Sequence, residues 1–453
     1  MPRLESAEPP QVCTTLGEVE LALPAPAPAR RRRAASVLQT PAARRGVWTL
    51  LDQAVVSGTS FLTTIVVGRF CGDDALGVYA LGFTLVVLSA VIHESLVSSP
   101  YQVLGVRHQG PRRTAFAAAS LRLHFAVTGI LLLACALLPA TLGDVWRTIA
   151  WTLCLVIPGA LLRDFARRLA LAHLRPELAL LCDSLMLAVQ AALLVWLALS
   201  GRLSASTGLL ALGGAGFVAG ASMLFWQRRA FRSPPSYLAE DVRTCLRFGR
   251  PVLAARVTSV VNSFILHWLL AFQLGAAATG VFAACMTIMQ FANPVVLGLA
   301  TTLGPHAAHA YAEHQAPGLR RVVFQGLIAA AGIMLILCTV LTLSGNLLMN
   351  LLYGGGDYAG HVLTIGILAL YTFVGTLSIC VFQGLMTIHR SDVNFRINLL
   401  SLVITLIAAG PLVSRFSLTG AALALLIGCA ISTTVQITVF FLLVRKNRPS
   451  IEL

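Results

Sequence analysis

The chain has 453 residues, of which 57% are hydrophobic and only 11% are charged, and its mean hydropathy is +0.81. This composition excludes a soluble enzyme and predicts a membrane protein. The formal net charge is +15, but no soluble basic domain is present that would bind nucleic acid, so no nucleic-acid partner is expected. The ten cysteines occur without a CxxC pair, which is typical of small core residues rather than of disulfides or a metal site.

Residues 1–45 combine a Pro/Ala-rich stretch with a run of four arginines, Arg30 to Arg33, and we predict a disordered, basic cytoplasmic tail. The apolar stretch that follows is long enough to span a bilayer and lacks a small-residue cleavage pattern. We therefore expect a retained first span rather than a cleaved signal peptide.

From there to the end, apolar runs of about 20 residues alternate with short polar turns, and each run is long enough to cross a membrane. We predict an all-α, polytopic membrane protein with about 12 transmembrane helices. Placing the N-terminus in the cytoplasm puts most arginines on the inner side. The outer ends then hold only Arg69, Arg147, Arg202 and Arg415. This asymmetry predicts that both termini are cytoplasmic.

The stretch from Gly46 to Ala80 recurs at an offset of 203 residues, which places Gly72 on Gly275 and Gly77 on Gly280. Such a repeat indicates an internal duplication. Because each half contains an even number of spans, the repeats are parallel rather than inverted. We predict an N-terminal six-helix bundle over 46–226, a cytoplasmic linker with a short amphipathic helix over 227–248, and a C-terminal six-helix bundle over 249–453.

The first helix of each repeat carries a polar stripe at helical spacing. The stripes are Gln53, Ser57, Ser60 and Thr64 in the first half, and Arg256, Ser259, Ser263 and His267 in the second. A membrane helix keeps polar residues where it faces protein or a water-filled cavity. The two stripes favour a central cavity between the bundles. The alternative is that Ser and Thr only join neighbouring helices by hydrogen bonds.

Four ionisable residues, Asp52, Glu94, Arg122 and Arg256, lie within the predicted spans. A charge at the bilayer centre costs roughly 2.5–3.5 kcal/mol on insertion scales, so each is a functional candidate. Arg256 and Arg122 are candidates for substrate binding, since a guanidinium binds phosphate bidentately. The alternative for Arg256 is a structural ion pair with Asp52 across the bundle interface, which a phosphate ligand would break.

Asp52 and Glu94 are candidates for ion coupling, because a buried carboxyl group takes up a proton more readily. For Glu94 the alternative is a structural role near the cytoplasmic surface. Asn293 and Pro294 mark a helix that we expect to bend, since proline frees a backbone carbonyl. His93-Glu94 lacks the second histidine of a zinc protease, and no GxSxG motif occurs. We therefore expect no enzymatic activity, no cofactor and no metal.

Four stretches carry a resemblance to a known family: RRGVWTLLDQAVVSGTSFLTTIVVGRFCGDDALGVYAL, RDFARRLALAHLRPELALLCDSL, FGRPVLAARVTSVVNSF and LLYGGGDYAGHVLTIGILALY. Together they resemble the polysaccharide (O-antigen type) flippases of the multidrug/oligosaccharidyl-lipid/polysaccharide exporter superfamily. The likeness runs from about Ala43 to Arg448. It implies a V-shaped cavity, alternating access, and export of a polyprenyl-pyrophosphate-linked oligosaccharide across the bacterial inner membrane for surface polysaccharide biosynthesis. Cationic cavity residues of the family attract the pyrophosphate, and Arg256 and Arg122 match them by position in the spans.

Two other functions stay open. One is a proton- or sodium-coupled multidrug exporter of the same superfamily, for which Asp52 would be the ion site. The other is a membrane scaffold in a glycan assembly complex that performs no transport. The expected partners are the lipid-linked oligosaccharide, membrane lipids and other polysaccharide-assembly proteins.

Overall fold

The computed structural model describes residues 41–137, 144–232, 237–388 and 390–446, so most of the predicted N-terminal tail lies outside the described residues. Within these ranges the chain forms helices and turns, without a β-strand. It contains 9 helical runs that are long and apolar enough to cross a membrane. The run Ala276–Tyr353 has 78 residues. A straight helix of that length would measure about 117 Å, several times the thickness of the bilayer core, so this run must turn back.

Three of the runs turn at a residue with non-helical backbone angles, namely Gly72, Gln315 and Ser417. The described runs therefore supply about twelve membrane-crossing segments, each long enough for a bilayer. The all-α, polytopic prediction is confirmed.

The α-helices are numbered in chain order. They are α1 (Pro41–His93), α2 (Ser99–Leu104), α3 (Gly110–Leu137), α4 (Asp144–Ala172), α5 (Pro176–Leu199), α6 (Ala205–Trp226), α7 (Leu238–Leu274), α8 (Ala276–Met289), α9 (Asn293–Tyr353), α10 (Val362–Thr387) and α11 (Ser391–Lys446). A π-helical turn, Glu94–Ser98, joins α1 to α2, and a 3-10 turn, Gln290–Ala292, joins α8 to α9.

The two sequence repeats have the same backbone at their central glycine. Gly72 has φ 84° and ψ −179°, and Gly275 has φ 91° and ψ −177°. This combination is essentially restricted to glycine, because a Cβ would clash with the backbone. Both residues end the first crossing helix of their half. The repeated sequence therefore produces a repeated turn.

The repeat-related residues Gly77 and Gly280 bring the two halves into backbone contact. A Cβ built on Gly77 would lie 1.9 Å from the carbonyl oxygen of Ala276, and one on Gly280 would lie 1.9 Å from that of Asp73. Small residues permit such close approach of membrane helices, where van der Waals packing holds helices together. We call this region the glycine end of the molecule.

Two hydrogen bonds reinforce the contact between the halves at the glycine end. The Arg69 Nη1 donates to the carbonyl oxygen of Leu351 over 2.7 Å, and the Tyr358 hydroxyl donates to that of Gly68 over 3.2 Å. The halves are thus joined there by backbone packing and by bonds to backbone carbonyls that helix ends leave available.

The predicted short amphipathic helix of the linker is not a separate element. Residues from Leu238 onward form one continuous helix, α7, which is 37 residues long and includes Pro251. Its Asp241 and Cys245 are buried. Val242, which belongs to the apolar face that suggested a helix on the membrane surface, packs instead against a core cluster of the first half.

We predict that Gly77→Ala and Gly280→Ala each destabilise the protein. The added Cβ would meet a backbone carbonyl, which cannot move aside as a side chain can, and overpacking of this kind costs about 1–3 kcal/mol. Thermal unfolding of the purified protein in detergent would measure the loss as a lower midpoint temperature.

The matched controls are Gly58→Ala and Gly298→Ala, because a Cβ at either helical position meets nothing within 4 Å. Equal midpoints for the control and the glycine-end variants would contradict the packing argument.

Candidate functional site

Eight charged side chains meet at the end of the first half that lies opposite the glycine end. They come from α1, the π-helical turn, α4, α5 and α7. We call them the charge network, and its members are Asp52, Glu94, Asp164, Asp183, Arg163, Arg167, Arg168 and Arg256.

One branch of the network is buried within the first half. The Arg167 Nε donates to Asp183 Oδ2 over 2.6 Å, and the same guanidinium pairs with Asp52. Arg163 pairs with the other oxygen of Asp183, whose side chain is fully buried. Three helices, α1, α4 and α5, are therefore joined by one chain of ion pairs.

The other branch links the first half to α7. The two carboxylate oxygens of Glu94 accept from different arginines, Oε1 from Arg168 Nη1 over 2.7 Å and Oε2 from Arg256 Nη1 over 2.5 Å. Arg168 Nε also donates to Asp164 over 2.7 Å. Arg256 is the most exposed member of the network, with 46% of its side chain accessible, whereas Glu94 is buried.

Local backbone geometry explains why Arg256 reaches Glu94. Glu94 begins the π-helical turn Glu94–Ser98, a rare irregularity within helices that is frequent at functional sites. Gly249 of α7 packs directly on this turn, since a Cβ there would lie 2.5 Å from the carbonyl oxygen of Ser95. The close approach brings the two helix backbones together, and Arg256 lies two turns further along α7.

A second glycine-mediated packing fixes the arginines of α4. The glycines of α6 at positions 213, 216 and 220 form a flat face against α4, and a Cβ on Gly220 would lie 2.6 Å from the Arg163 backbone nitrogen. Because the two helices are in backbone contact, the guanidinium groups of α4 start from a fixed position. The arginine side chains of α4 therefore lose little conformational freedom when they pair with the carboxylates of α1 and α5.

The network balances its formal charge, with as many carboxylates as guanidinium groups. A buried charge without a partner is costly, and breaking a buried pair by removing one member costs about 3–5 kcal/mol. The inner pairs therefore suit a structural role. Arg256 differs, because its guanidinium is the most exposed of the network.

Three of the four residues of the predicted stripe on α7 are exposed. Ser259 and Ser263 are exposed, as is Arg256, and the Ser263 hydroxyl donates to the carbonyl oxygen of Ser259 over 3.0 Å. His267 does not share this exposure, because it is buried beside the Phe282 ring, with the ring centroids 5.4 Å apart.

The corresponding residues of α1 are less accessible. Gln53 and Ser60 are half-buried, and Phe61 packs edge-on against Phe291 with the ring centroids 5.1 Å apart. Asn293 and Pro294 follow the 3-10 turn Gln290–Ala292 and are exposed, so the helix is irregular where we expected it to bend.

Arg122 lies apart from the charge network. It is exposed on a face of α3 that it shares with Phe125, Ile130 and Leu133, three exposed apolar side chains. An apolar exposed face suits contact with lipid tails, and a long arginine side chain can reach from such a face to the membrane surface. The structure thus does not bring Arg122 together with Arg256.

The alternative prediction, an ion pair between Arg256 and Asp52, is wrong. Asp52 pairs with Arg167, and Arg256 pairs with Glu94. Sequence reasoning named neither Asp183 nor the arginines of α4 as site residues. In the structure α4 continues to Ala172. The signal was present: Asp183 lies inside the apolar run Pro176–Leu199, where a carboxylate requires a partner, and Arg163 and Arg167 share one helical face.

We predict that Asp183→Asn strongly destabilises the protein, by about 3–5 kcal/mol, because it removes the carboxylate that pairs with both Arg163 and Arg167 and leaves only Asp52 to pair with Arg167. Arg163→Gln should cost less when it is combined with Asp183→Asn than when it is made alone. A double-mutant cycle on unfolding in detergent measures this coupling. Additive losses would show that the pair does not interact, and Asp74→Asn, at an exposed residue, is the control.

Comparison with known proteins gives structural matches only. No family model matches the chain, and no curated protein matches it. A solved multidrug resistance MATE family transporter of the MOP superfamily, in an inward-facing conformation, matches with a TM-score of 0.69 and 15% identity, covering 89% of this chain and 96% of that chain.

Two further structures agree with this match. A MOP superfamily transporter from Pyrococcus furiosus, described as having a binding pocket of reverse polarity that suggests a different function, gives a TM-score of 0.64 at 14% identity, covering 89% of this chain and 95% of that chain. A MATE family transporter in an outward-facing conformation gives 0.63 at 16% identity, with the same coverage. The chain therefore has the fold of MOP superfamily transporters over nearly its whole described length.

Proposed function

We propose that this protein is a flippase that moves a polyprenyl-pyrophosphate-linked oligosaccharide across the bacterial inner membrane by alternating access, for surface polysaccharide biosynthesis. In this proposal the halves 46–226 and 249–453 are the two bodies that move. The charge network faces the cytoplasm, as the arginine distribution predicts for this end. Other polysaccharide-assembly proteins are the proposed partners.

The observation that carries the proposal is the position of Arg256. Its guanidinium is exposed, begins the polar face formed with Ser259 and Ser263, and pairs with Glu94 of the first half. A guanidinium keeps its charge when it loses water and binds phosphate through two parallel hydrogen bonds. A pyrophosphate that enters between the halves would find a cation whose only described partner is one carboxylate.

The pairing of Glu94 lets Arg256 change partners without leaving a lone buried charge. Glu94 also pairs with Arg168, so it keeps one cationic partner, which it shares with Asp164, when Arg256 turns to a phosphate. The exchange therefore replaces one charge-assisted hydrogen bond with another, and the buried carboxylate is not stranded. Breaking the link between Glu94 and Arg256 would at the same time free α7 from the first half.

The charge of the site argues against a cationic substrate. Each of the buried carboxylates Asp52, Glu94 and Asp183 is paired with an arginine, so none of these three is available for a cation. The fold alone does not decide the substrate, since one similar transporter is described as having a pocket of reverse polarity and a different suggested function. The substrate class must therefore be argued from the charge of the residues that line the site.

A multidrug exporter is the second candidate, because two of the structural matches are multidrug resistance transporters. Under that function Asp52 would bind the coupling ion. To do so it would have to separate from Arg167, at the cost of leaving a buried guanidinium with one partner fewer.

We predict that Arg256→Gln lowers flipping of a polyprenyl-pyrophosphate-linked oligosaccharide at least ~10-fold, because a hydrogen bond to a charged group contributes about 1.5–3 kcal/mol. Arg256→Lys should retain an intermediate rate, since it keeps the charge without the bidentate geometry. Flipping is measured in vesicles reconstituted with the full chain.

The matched control is Arg250→Gln, which removes an exposed arginine from the same helix outside the charge network. Extrusion of a cationic dye is measured in parallel. Vesicles that extrude the dye, do not flip the lipid-linked sugar and lose dye extrusion with Asp52→Asn would favour the exporter. Vesicles with neither activity, despite a correctly folded protein, would favour a non-transporting scaffold.

A further inference from the structure

Each half of the molecule contains a basic cavity that the transport site does not use. The first lies between the start of α3, the turn after α4 and the end of α6, and has a volume of about 1000 Å³. Its basic lining residues are four arginines, Arg113, Arg175, Arg228 and Arg229, together with His173. We call it the first basic pocket.

The second basic pocket lies between the part of α9 that follows Gln315 and the end of α11, and has a volume of about 830 Å³. Its cationic lining residues are Arg320, Arg321 and Arg445. Phe324 and Phe441 form part of its apolar wall.

The two pockets occupy equivalent places in the two repeats. Each lies between the start of the third crossing helix of its half and the end of the sixth. Each third helix also begins in the same way, with a residue of positive φ (Gly110 at 54° or Gln315 at 51°), a proline within two residues, and then an Arg-Arg pair. Because the repeats are parallel, equivalent places face the same side of the membrane.

The arginines in these pockets are not neutralised by the protein. Among the residues that the structure describes, Arg175, Arg229, Arg320 and Arg321 form no ion pair, in contrast to the arginines of the charge network. All four are exposed. Burial, together with the nearby Arg113 and Arg175, lowers the pKa of His173. Arginine therefore supplies the positive charge of the first basic pocket at neutral pH.

The walls of the pockets are amphipathic. Phe225 and Trp226 are exposed beside Arg228 in the first pocket, and the Arg228 guanidinium lies 4.4 Å from the Phe225 ring centroid. Phe324 is exposed in the second pocket, next to Arg320 and Arg321. Aromatic side chains prefer the boundary between lipid tails and headgroups, and basic pockets between helices at that boundary suit phosphate headgroups.

We propose that each basic pocket binds one anionic membrane lipid, with the lipid phosphate on the arginines and the upper acyl chains on the aromatic wall. The two sites are equivalent, one in each half, and lie on the same side of the membrane. The arginines hold the phosphate by charge-assisted hydrogen bonds, while the aromatic residues select a lipid over a free phosphate ion. The lipids would anchor both moving halves to one leaflet. This proposal does not depend on the transported substrate.

The test counts phosphatidylglycerol molecules that stay bound to the full chain in native mass spectrometry from detergent. We expect two tightly bound lipids. Arg175→Gln with Arg229→Gln should weaken one of them about 30-fold, and Arg320→Gln with Arg321→Gln should weaken the other to a similar extent. About 30-fold corresponds to about 2 kcal/mol, or about 1 kcal/mol for each arginine near the membrane surface.

The matched control is Arg243→Gln with Arg247→Gln, which removes two exposed arginines of α7 outside both pockets. It should leave both lipids bound, and Arg320→Lys with Arg321→Lys should retain most of the second. Unfolding midpoints identify variants that fail to fold, and the other pocket's variant then carries the test.

Three results would overturn the proposal. The first is an equal loss of lipid in the control, which would indicate attraction to net charge alone. The second is equal retention of phosphatidylcholine, which would show that the phosphate's net charge is not recognised. The third is displacement of phosphatidylglycerol by millimolar inorganic phosphate, which would assign the pockets to a free anion instead of a lipid.

Discussion

The structure depends on how arginine can be kept inside a membrane protein. Glu94 solves this problem at the junction of the two halves, because its two oxygens bind Arg168 of α4 and Arg256 of α7 separately. This single carboxylate therefore connects the first half to α7, the helix that leads into the second half. The inner ion pairs around Asp183 hold α4 against α5. Glu94 then joins α4 to α7 through its bonds to Arg168 and Arg256. The most exposed guanidinium of the network, that of Arg256, is therefore held by a buried carboxylate.

At the glycine end, opposite the charge network, glycine residues let the two halves come into close contact. Gly77 and Gly280 are related by the sequence repeat and touch each other's helices through backbone atoms alone. Side chains can change rotamer when a protein moves, but a backbone contact of this kind either exists or is lost. The molecule therefore combines a backbone contact at the glycine end with the ion pair between Glu94 and Arg256 at the charged end.

Much of this architecture could be predicted from the sequence, because apolar length and the glycine repeat are local signals. The paired turns at Gly72 and Gly275 are an example, since each copy carries the same residue at the same offset. The polar stripe through Arg256, Ser259 and Ser263 was also visible at helical spacing. The partner of Arg256 was not, since Glu94 reaches it only through a π-helical turn and the close packing of Gly249. The pairing of Arg163 and Arg167 with Asp183 was hidden for a related reason, because a hydropathy pattern treats paired arginines as the end of a span.

The continuity of α7 has a mechanical consequence. Asp241, near the start of this helix, pairs with Arg112 of α3, and Arg256 pairs with Glu94. In a flexible connection an extra residue is absorbed by the loop, but in a helix each added residue rotates everything beyond it by about 100° and advances it by about 1.5 Å. The helical stretch between Asp241 and Arg256 therefore sets both the distance and the rotation between these two residues. Its length, rather than its composition alone, determines whether Arg256 points at Glu94.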